Sequence, residues 1–192
     1  MMVVDAAFTS IGLNYFTAVV PKVEEFGRRF VENWRISLKE LAEADINELR
    51  EVWSNRRSWS IVKNIASYLS TLSEDDKHAL RAWAANARLE NWWEDPVGRI
   101  KGVGLVTFQY LRTMGGIDTV MPDKIVKRVV NGILVKAGLE PVEDNIQFVK
   151  RAEQIAISCG YRLIELYWMT WLIQPEGRRI RMEKHRDILS KI

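Results

Sequence analysis

The chain has 192 residues, 47% of them hydrophobic, and a formal net charge of +3. That is enough apolar material for one or two packed lobes, and too little charge to demand a polyanionic partner, so any basic stripe has to be local. A single cysteine, Cys159, excludes a disulfide framework, a cysteine zinc cluster or a four-cysteine iron–sulfur loop, and two histidines are too few for a histidine-rich metal or acid–base site.

The N-terminal residues lack a basic stretch before an apolar one, so no secretory leader is expected, and with one cysteine the expected location is cytoplasmic or nucleoid-associated. Leu38, Leu41, Ala42, Ile46, Leu49, Val52 and Trp53 keep the three-to-four spacing of a helix face. Ile61, Ile65, Ala66 and Leu69 form a second stripe, and Leu80, Trp83, Ala84 and Ala87 a third. Ser73 with Asp76 has the spacing of a capping box ahead of that third stripe. Asp95-Pro96 reads as a cap followed by a first helical residue. A helix over Leu105 to Met114 closes at Gly115-Gly116, and another over Lys124 to Leu134 closes between Gly138 and Pro141. Ile146, Val149, Ala152, Ile155, Ala156 and Cys159 form a fourth stripe. The most apolar run, Tyr161 to Ile173, contains Arg162 and Glu165 and is too short to span a bilayer. Residues 176–192, with Arg178, Arg179, Arg181, Lys184 and Arg186, make a basic terminal segment. Sustained alternation is absent, so no sheet is predicted. The expected class is all-α, with about eight to ten helices.

Chemistry concentrates between residues 100 and 130. Ile100-Lys101-Gly102-Val103-Gly104 reads as a tight hairpin between two helices, Val103 packing inward while successive backbone N–H groups face out. Such a nest, with Lys101 at its rim and a helix N-terminus behind it, binds an oxyanion such as a DNA phosphate without reading sequence. A plain helix–helix turn is the alternative. Pro122-Asp123-Lys124 places one carboxylate at the mouth of the next helix. Asp123 can cap that helix, face a ligand, or do both. The 8 Trp are core anchors or base-stacking surfaces, core being the expectation for most. Arg56-Arg57 and the terminal basic segment are candidate phosphate contacts or solvated faces.

Ile100 to Val130 resembles the helix-hairpin-helix, Gly/Pro-rich loop and Asp motif of the DNA glycosylase superfamily that includes endonuclease III, the adenine-mismatch glycosylase and the 3-methyladenine glycosylases. Residues 123–129 match the segment carrying that family's catalytic Asp, and Met121-Pro122-Asp123 looks most like the alkylation-repair branch. A looser likeness covers Ser37 to Leu69, including Lys63, and Ala152 to Leu172. The resemblance implies a two-lobed helical fold, a barrel lobe over about 13–130 and a second lobe over about 131–192 joined by the N-terminus. It implies double-stranded DNA as partner, a flipped-out nucleotide, and a monomeric enzyme without a cofactor. Asp123 would be catalytic, Lys101, Gly102, Val103 and Gly104 would hold the DNA phosphate, and the carbonyls of Ile100 and Val103 would hold a structural monovalent cation.

The departures narrow this. Family members that nick the strand carry a Lys two residues after the second hairpin glycine, and Val106 stands there, so a Schiff base is not expected. Lys101 replaces the hairpin Pro. The stretch that supplies the base-replacing wedge reads Leu13-Asn14-Tyr15-Phe16-Thr17, offering Asn14, Tyr15 or Phe16. Tyr15, Trp53 and Trp59 are candidate walls of the base pocket, with core packing as the alternative for each. The expected activity is hydrolysis of the N-glycosidic bond of a damaged base. The alternatives are a non-catalytic DNA-binding relative and a helical protein-interaction domain.

Overall fold

A computed structural model describes residues 1–33 and 35–173. Trp34 and the basic segment with Arg178, Arg179, Arg181, Lys184 and Arg186 lie outside the described residues. The described chain is helical, without a strand, and divides into two compact units, Met1–Ile117 and Asp118–Ile192. The division therefore falls after residue 117 rather than near 130. The N-terminal helix packs within the first unit rather than joining the second.

The first unit runs through α1 (Met2–Thr9), a π-helical turn Tyr15–Val19 continuing into α2 (Val20–Phe26), and a second π-helical turn Gly27–Glu32. It continues with α3 (Leu38–Glu43), α4 (Ile46–Val52), α5 (Arg56–Leu69), α6 (Asp76–Asn86) and α7 (Leu105–Met114). α5 is the hub: α1, α3, α4 and α6 all pack on it. Its amphipathic pattern explains why, since Trp59, Ile61, Val62, Ile65, Ala66 and Leu69 are all fully buried. Around Trp59 the aromatic rings interlock. Phe8 meets Trp59 edge-on at 4.9 Å and stacks on Trp53 at 4.6 Å, and Phe26 lies 5.8 Å from Trp59. The buried indole needs an acceptor, and Trp59 Nε1 donates to the carbonyl of Trp53 at 2.7 Å.

The apolar stripe from Leu38 to Trp53 belongs to two helices. Ser37 starts α3 with a reciprocal capping box to Glu40, but Ala44 turns extended (ψ 147) and Asp45 accepts from Asn47 N–H at 2.9 Å to begin α4. Lys63 of α5 donates to the Ala44 carbonyl left over at the break. At α6 the cap is Asp75, which accepts from His78 N–H; Ser73 Oγ instead accepts from Asp75 N–H at 3.1 Å, two residues too early to cap.

The second unit holds α8 (Lys124–Lys136), α9 (Asn145–Cys159) and α10 (Leu163–Leu172), with α10 packed on both others. Asp144 caps α9, which ends at Gly160 in the left-handed region (φ 74). Asn131 ties the α8–α9 connection through both its amide atoms, to the N–H and the carbonyl of Val142. α10 is capped from a distance, Asp118 accepting from the N–H groups of Leu163 at 3.1 Å and Ile164 at 2.9 Å.

Trp59→Ala should destabilise the protein by about 3–5 kcal/mol, because it opens a cavity at the hub and leaves the Trp53 carbonyl unpaired. Urea unfolding monitored by far-ultraviolet circular dichroism measures it.

Candidate functional site

The hairpin lies in the first unit. Ahead of it the chain does not form the expected helix. Asp95 Oδ1 accepts from Val97 N–H at 2.8 Å, Arg99 N–H bonds to the Asp95 carbonyl at 2.9 Å, and a single turn, 96–99, results. A Cβ on Gly98 would stand 1.8 Å from the carbonyl oxygen of Trp92, so the segment is already folded back on itself. The motif is thus one turn, a tight reversal, and α7.

The reversal closes through a 2.9 Å hydrogen bond from Val103 N–H to the Ile100 carbonyl, with Gly102 at φ +103 and Val103 buried. One lone pair of Ile100, a carbonyl the resemblance assigns to a cation, is therefore committed to the turn. The two glycines differ in need. A Cβ on Gly102 would approach Ile61 Cδ1 of α5 to 2.8 Å at a backbone angle that side chains avoid. Gly104 is extended (φ −110) with open space around it. α7 begins at Leu105 without a side-chain cap, so its first N–H groups point outward with no acceptor in the helix. Lys101 is exposed, and Arg57 brings its Nε within 3.3 Å of where a Gly102 Cβ would be. The arrangement joins two cations and a bare helix N-terminus, which is chemistry suited to a phosphate. Arg56 is exposed on the same first turn of α5, and Val106 is half-buried where a nicking enzyme has its lysine.

Asp123 lies in the second unit and does cap α8. Oδ1 accepts from Ile125 N–H at 2.8 Å and Val126 N–H at 3.0 Å. Oδ2 is left for a longer contact, 3.4 Å, from Trp171 Nε1 on α10. Burial pushes the Asp123 carboxyl above its ordinary value; the two backbone N–H groups, Trp171 and the charge of Arg128 pull against it. Trp171, which sequence reasoning left without a role, is the side chain that reaches the second oxygen of this carboxylate. It stands 48 residues away, a separation that no local motif reveals.

The candidate wedge and pocket residues separate into two sets. Asn14 is exposed and caps the first π-helical turn, accepting from Thr17 N–H at 3.1 Å. Tyr15 and Phe16 meet edge to face at 5.1 Å, both half-buried. Trp59 is fully buried and Trp53 is 8% exposed, held in the aromatic cluster of α5. They have no face left to stack on a base, so the pocket assignment for Trp53 and Trp59 is corrected to core.

Tyr15 instead belongs to a polar cluster invisible in the sequence. Its hydroxyl donates to Asp5 Oδ2 at 3.1 Å and lies 3.1 Å from the Tyr110 hydroxyl, which donates to the same oxygen at 2.8 Å. Asp5 Oδ1 is buried without a hydrogen-bond partner. Burial raises the Asp5 carboxyl, with the Tyr110, Tyr15 and Thr9 hydrogen bonds opposing, and raises the Tyr15 phenol together with the charge of Asp5.

Among the described residues no group of three or more His, Cys, Asp or Glu is placed to hold a metal ion. No helix among them is long and apolar enough to cross a membrane. Comparison with family models, with curated proteins and with solved structures matches none to this chain.

Two expectations follow from this geometry. Gly102→Ala should cost about 1–3 kcal/mol from backbone strain and the Ile61 clash, whereas Gly104→Ala should stay within about 0.5 kcal/mol of wild type by thermal unfolding. For Asp5, a folded-state pKa above the unfolded one means that its contribution to stability is present below the ordinary carboxylate value. That contribution is lost as pH rises through the folded value. Asp5→Asn keeps an acceptor for both phenols but cannot ionise. As pH rises from the ordinary carboxylate value, about 4, wild type should therefore lose stability relative to Asp5→Asn, as read by denaturant titration.

Proposed function

We propose that the chain is a monofunctional DNA glycosylase, acting on double-stranded DNA to hydrolyse the bond between a damaged base and deoxyribose. Alkylated bases are the first substrates to test, given the likeness at Met121-Pro122-Asp123. The observation that carries the reading is the division of labour in Asp123. One oxygen secures α8, while the other makes only a 3.4 Å contact with an indole N–H. A carboxylate so held is oriented without being used up.

The chemistry suits one such group. As the C1′–N bond breaks, positive charge develops on the sugar and the bonding electrons leave with the base. An ionised carboxylate beside C1′ stabilises that charge and orients the attacking water. Water adds its oxygen to C1′ and gives one proton to the Asp123 carboxylate, which passes it to the departed base or to solvent, leaving an abasic sugar and the free base. The hairpin, with Lys101, Arg57 and the first N–H groups of α7, supports the DNA-binding half of the reading through backbone phosphates. With Val106 in place of a lysine, no Schiff base to the sugar is expected, so the strand stays intact.

A non-catalytic DNA-binding protein is the second reading. It is favoured by the burial of Asp123, which works against the charged form that would stabilise a cation. Base release decides between them. Duplexes carrying 3-methyladenine, hypoxanthine, 8-oxoguanine or uracil are incubated with the protein and abasic sites are counted. The glycosylase reading expects release on at least one duplex, a drop of about a hundredfold or more in Asp123→Asn, and a rate that climbs with pH through a raised Asp123 value. Undiminished release by Asp123→Asn would remove the mechanism. No release from the panel, with duplex affinity that falls steeply with salt, would leave the binding protein.

A further inference from the structure

The first unit carries a groove of about 220 Å³ that neither the hairpin nor Asp123 uses, lined by Tyr68 and Leu72 at the end of α5, by Trp83, Asn86 and Ala87 of α6, and by Asp95. Its volume is below the roughly 300–1,000 Å³ of sites for drug-sized ligands, and suits a single side chain. Trp83 forms the floor at 3% exposure, and Leu72 stands 40% exposed at the edge. The one formal charge among the lining residues is Asp95; the half-buried Arg112 guanidinium of α7 feels that charge from outside the lining, without an ion pair to it.

Asp95 is half satisfied. Its Oδ1 accepts from Trp83 Nε1 at 3.0 Å and from Val97 N–H at 2.8 Å. Among the described residues Oδ2 has neither a hydrogen-bond donor nor an ion-pair partner. Tyr68 faces the same charge, for its phenol is raised by burial and then by Asp95. A carboxylate with one open oxygen beside the half-buried Tyr68 ring attracts a cation by Coulomb attraction, with the Tyr68 ring face adding to it; Trp83 turns only its N–H edge to Asp95. The number of open oxygens selects which cation. A guanidinium is best held by both oxygens of a carboxylate in one plane, and here Oδ1 is already taken twice. An ammonium is a point charge that one oxygen can hold, and Leu72 and Ala87 offer apolar surface for a methylene stem.

We propose that this groove binds a primary alkylammonium group, in the form of a lysine side chain presented by a partner protein. The ammonium sits on Asp95 Oδ2 against the ring of Tyr68, above the buried edge of Trp83, and the stem runs out past Leu72. The site is independent of the glycosylase reading.

The indole N–H of Trp83 reports directly, because it donates to the same carboxylate. In ¹⁵N-labelled protein its resonance is assigned with Trp83→Phe and followed during titration with n-butylammonium chloride, with neutral N-butylacetamide, with potassium chloride, and with a short peptide containing one lysine. The expected result is a saturable shift with butylammonium, tighter saturation with the peptide, and no saturable shift with the amide or the salt. Asp95→Asn should weaken binding about tenfold, as loss of a charged hydrogen bond does, and Tyr68→Ala should weaken it too. Should Asp95→Asn fail to fold, Tyr68→Ala decides, since it leaves the Asp95 cap in place. An equal response to the neutral amide, or no saturable shift with either amine, overturns the site. So does wild-type affinity in Tyr68→Ala or in a folded Asp95→Asn. Equal affinity for butylammonium and the peptide overturns the assignment to a protein partner.

Discussion

The indole hydrogen bond from Trp59 to the Trp53 carbonyl is the fixed point of the first unit. A tryptophan buried on every side cannot leave its N–H unpaired, so the residues between 53 and 59 must fold to bring a carbonyl to it. That requirement sets the angle at which α4 hands over to α5 and holds Trp53 flat against Phe8. Two residues further along the same helix, Ile61 forms the seat on which Gly102 rests. The aromatic core and the hairpin are thus connected through one rigid helix. The position of Lys101 and of the α7 N-terminus is a consequence of how α5 is packed.

Three aspartates at or ahead of helical turns show how the same residue type is put to different ends. Asp118 commits both oxygens to backbone N–H groups of α10 and is wholly structural. Asp95 and Asp123 commit one oxygen to the backbone and hold the other in reserve. Counting committed oxygens separates a cap from a cap that can also serve a ligand, which residue identity alone does not. Burial works against the reserve, since the drier the site, the more the carboxylate favours its proton.

Much of the fold was legible because helix boundaries are written in local chemistry. Gly104 and Gly115 bracket α7, and Asp123 and Asp144 mark the starts of α8 and α9, all within a few residues of what they control. The stripe from Leu38 to Trp53 misled because apolar spacing continues smoothly across a break made by one capping aspartate. Ahead of the hairpin the chain makes a single turn, with Gly98 folded close against Trp92, a tertiary contact that local composition does not reveal. The candidate site was legible in its hairpin and its Asp123. Trp171 and the pairing of Tyr15 with Tyr110 were not, because they depend on helices meeting across 48 and 95 residues. Trp53 and Trp59 illustrate the ambiguity of aromatics, whose value to a core and to a base pocket comes from the same surface.

The distant cap on α10 also bears on the order in which the protein is made. Asp118 waits for partners 45 and 46 residues downstream, so the second unit cannot close its last helix until residue 164 has cleared the ribosome. The first unit, Met1–Ile117, is complete in sequence before any of α8 to α10 appears. Synthesis from the N-terminus would therefore let the hairpin and its α5 seat fold first, with the segment bearing Asp123 settling afterwards.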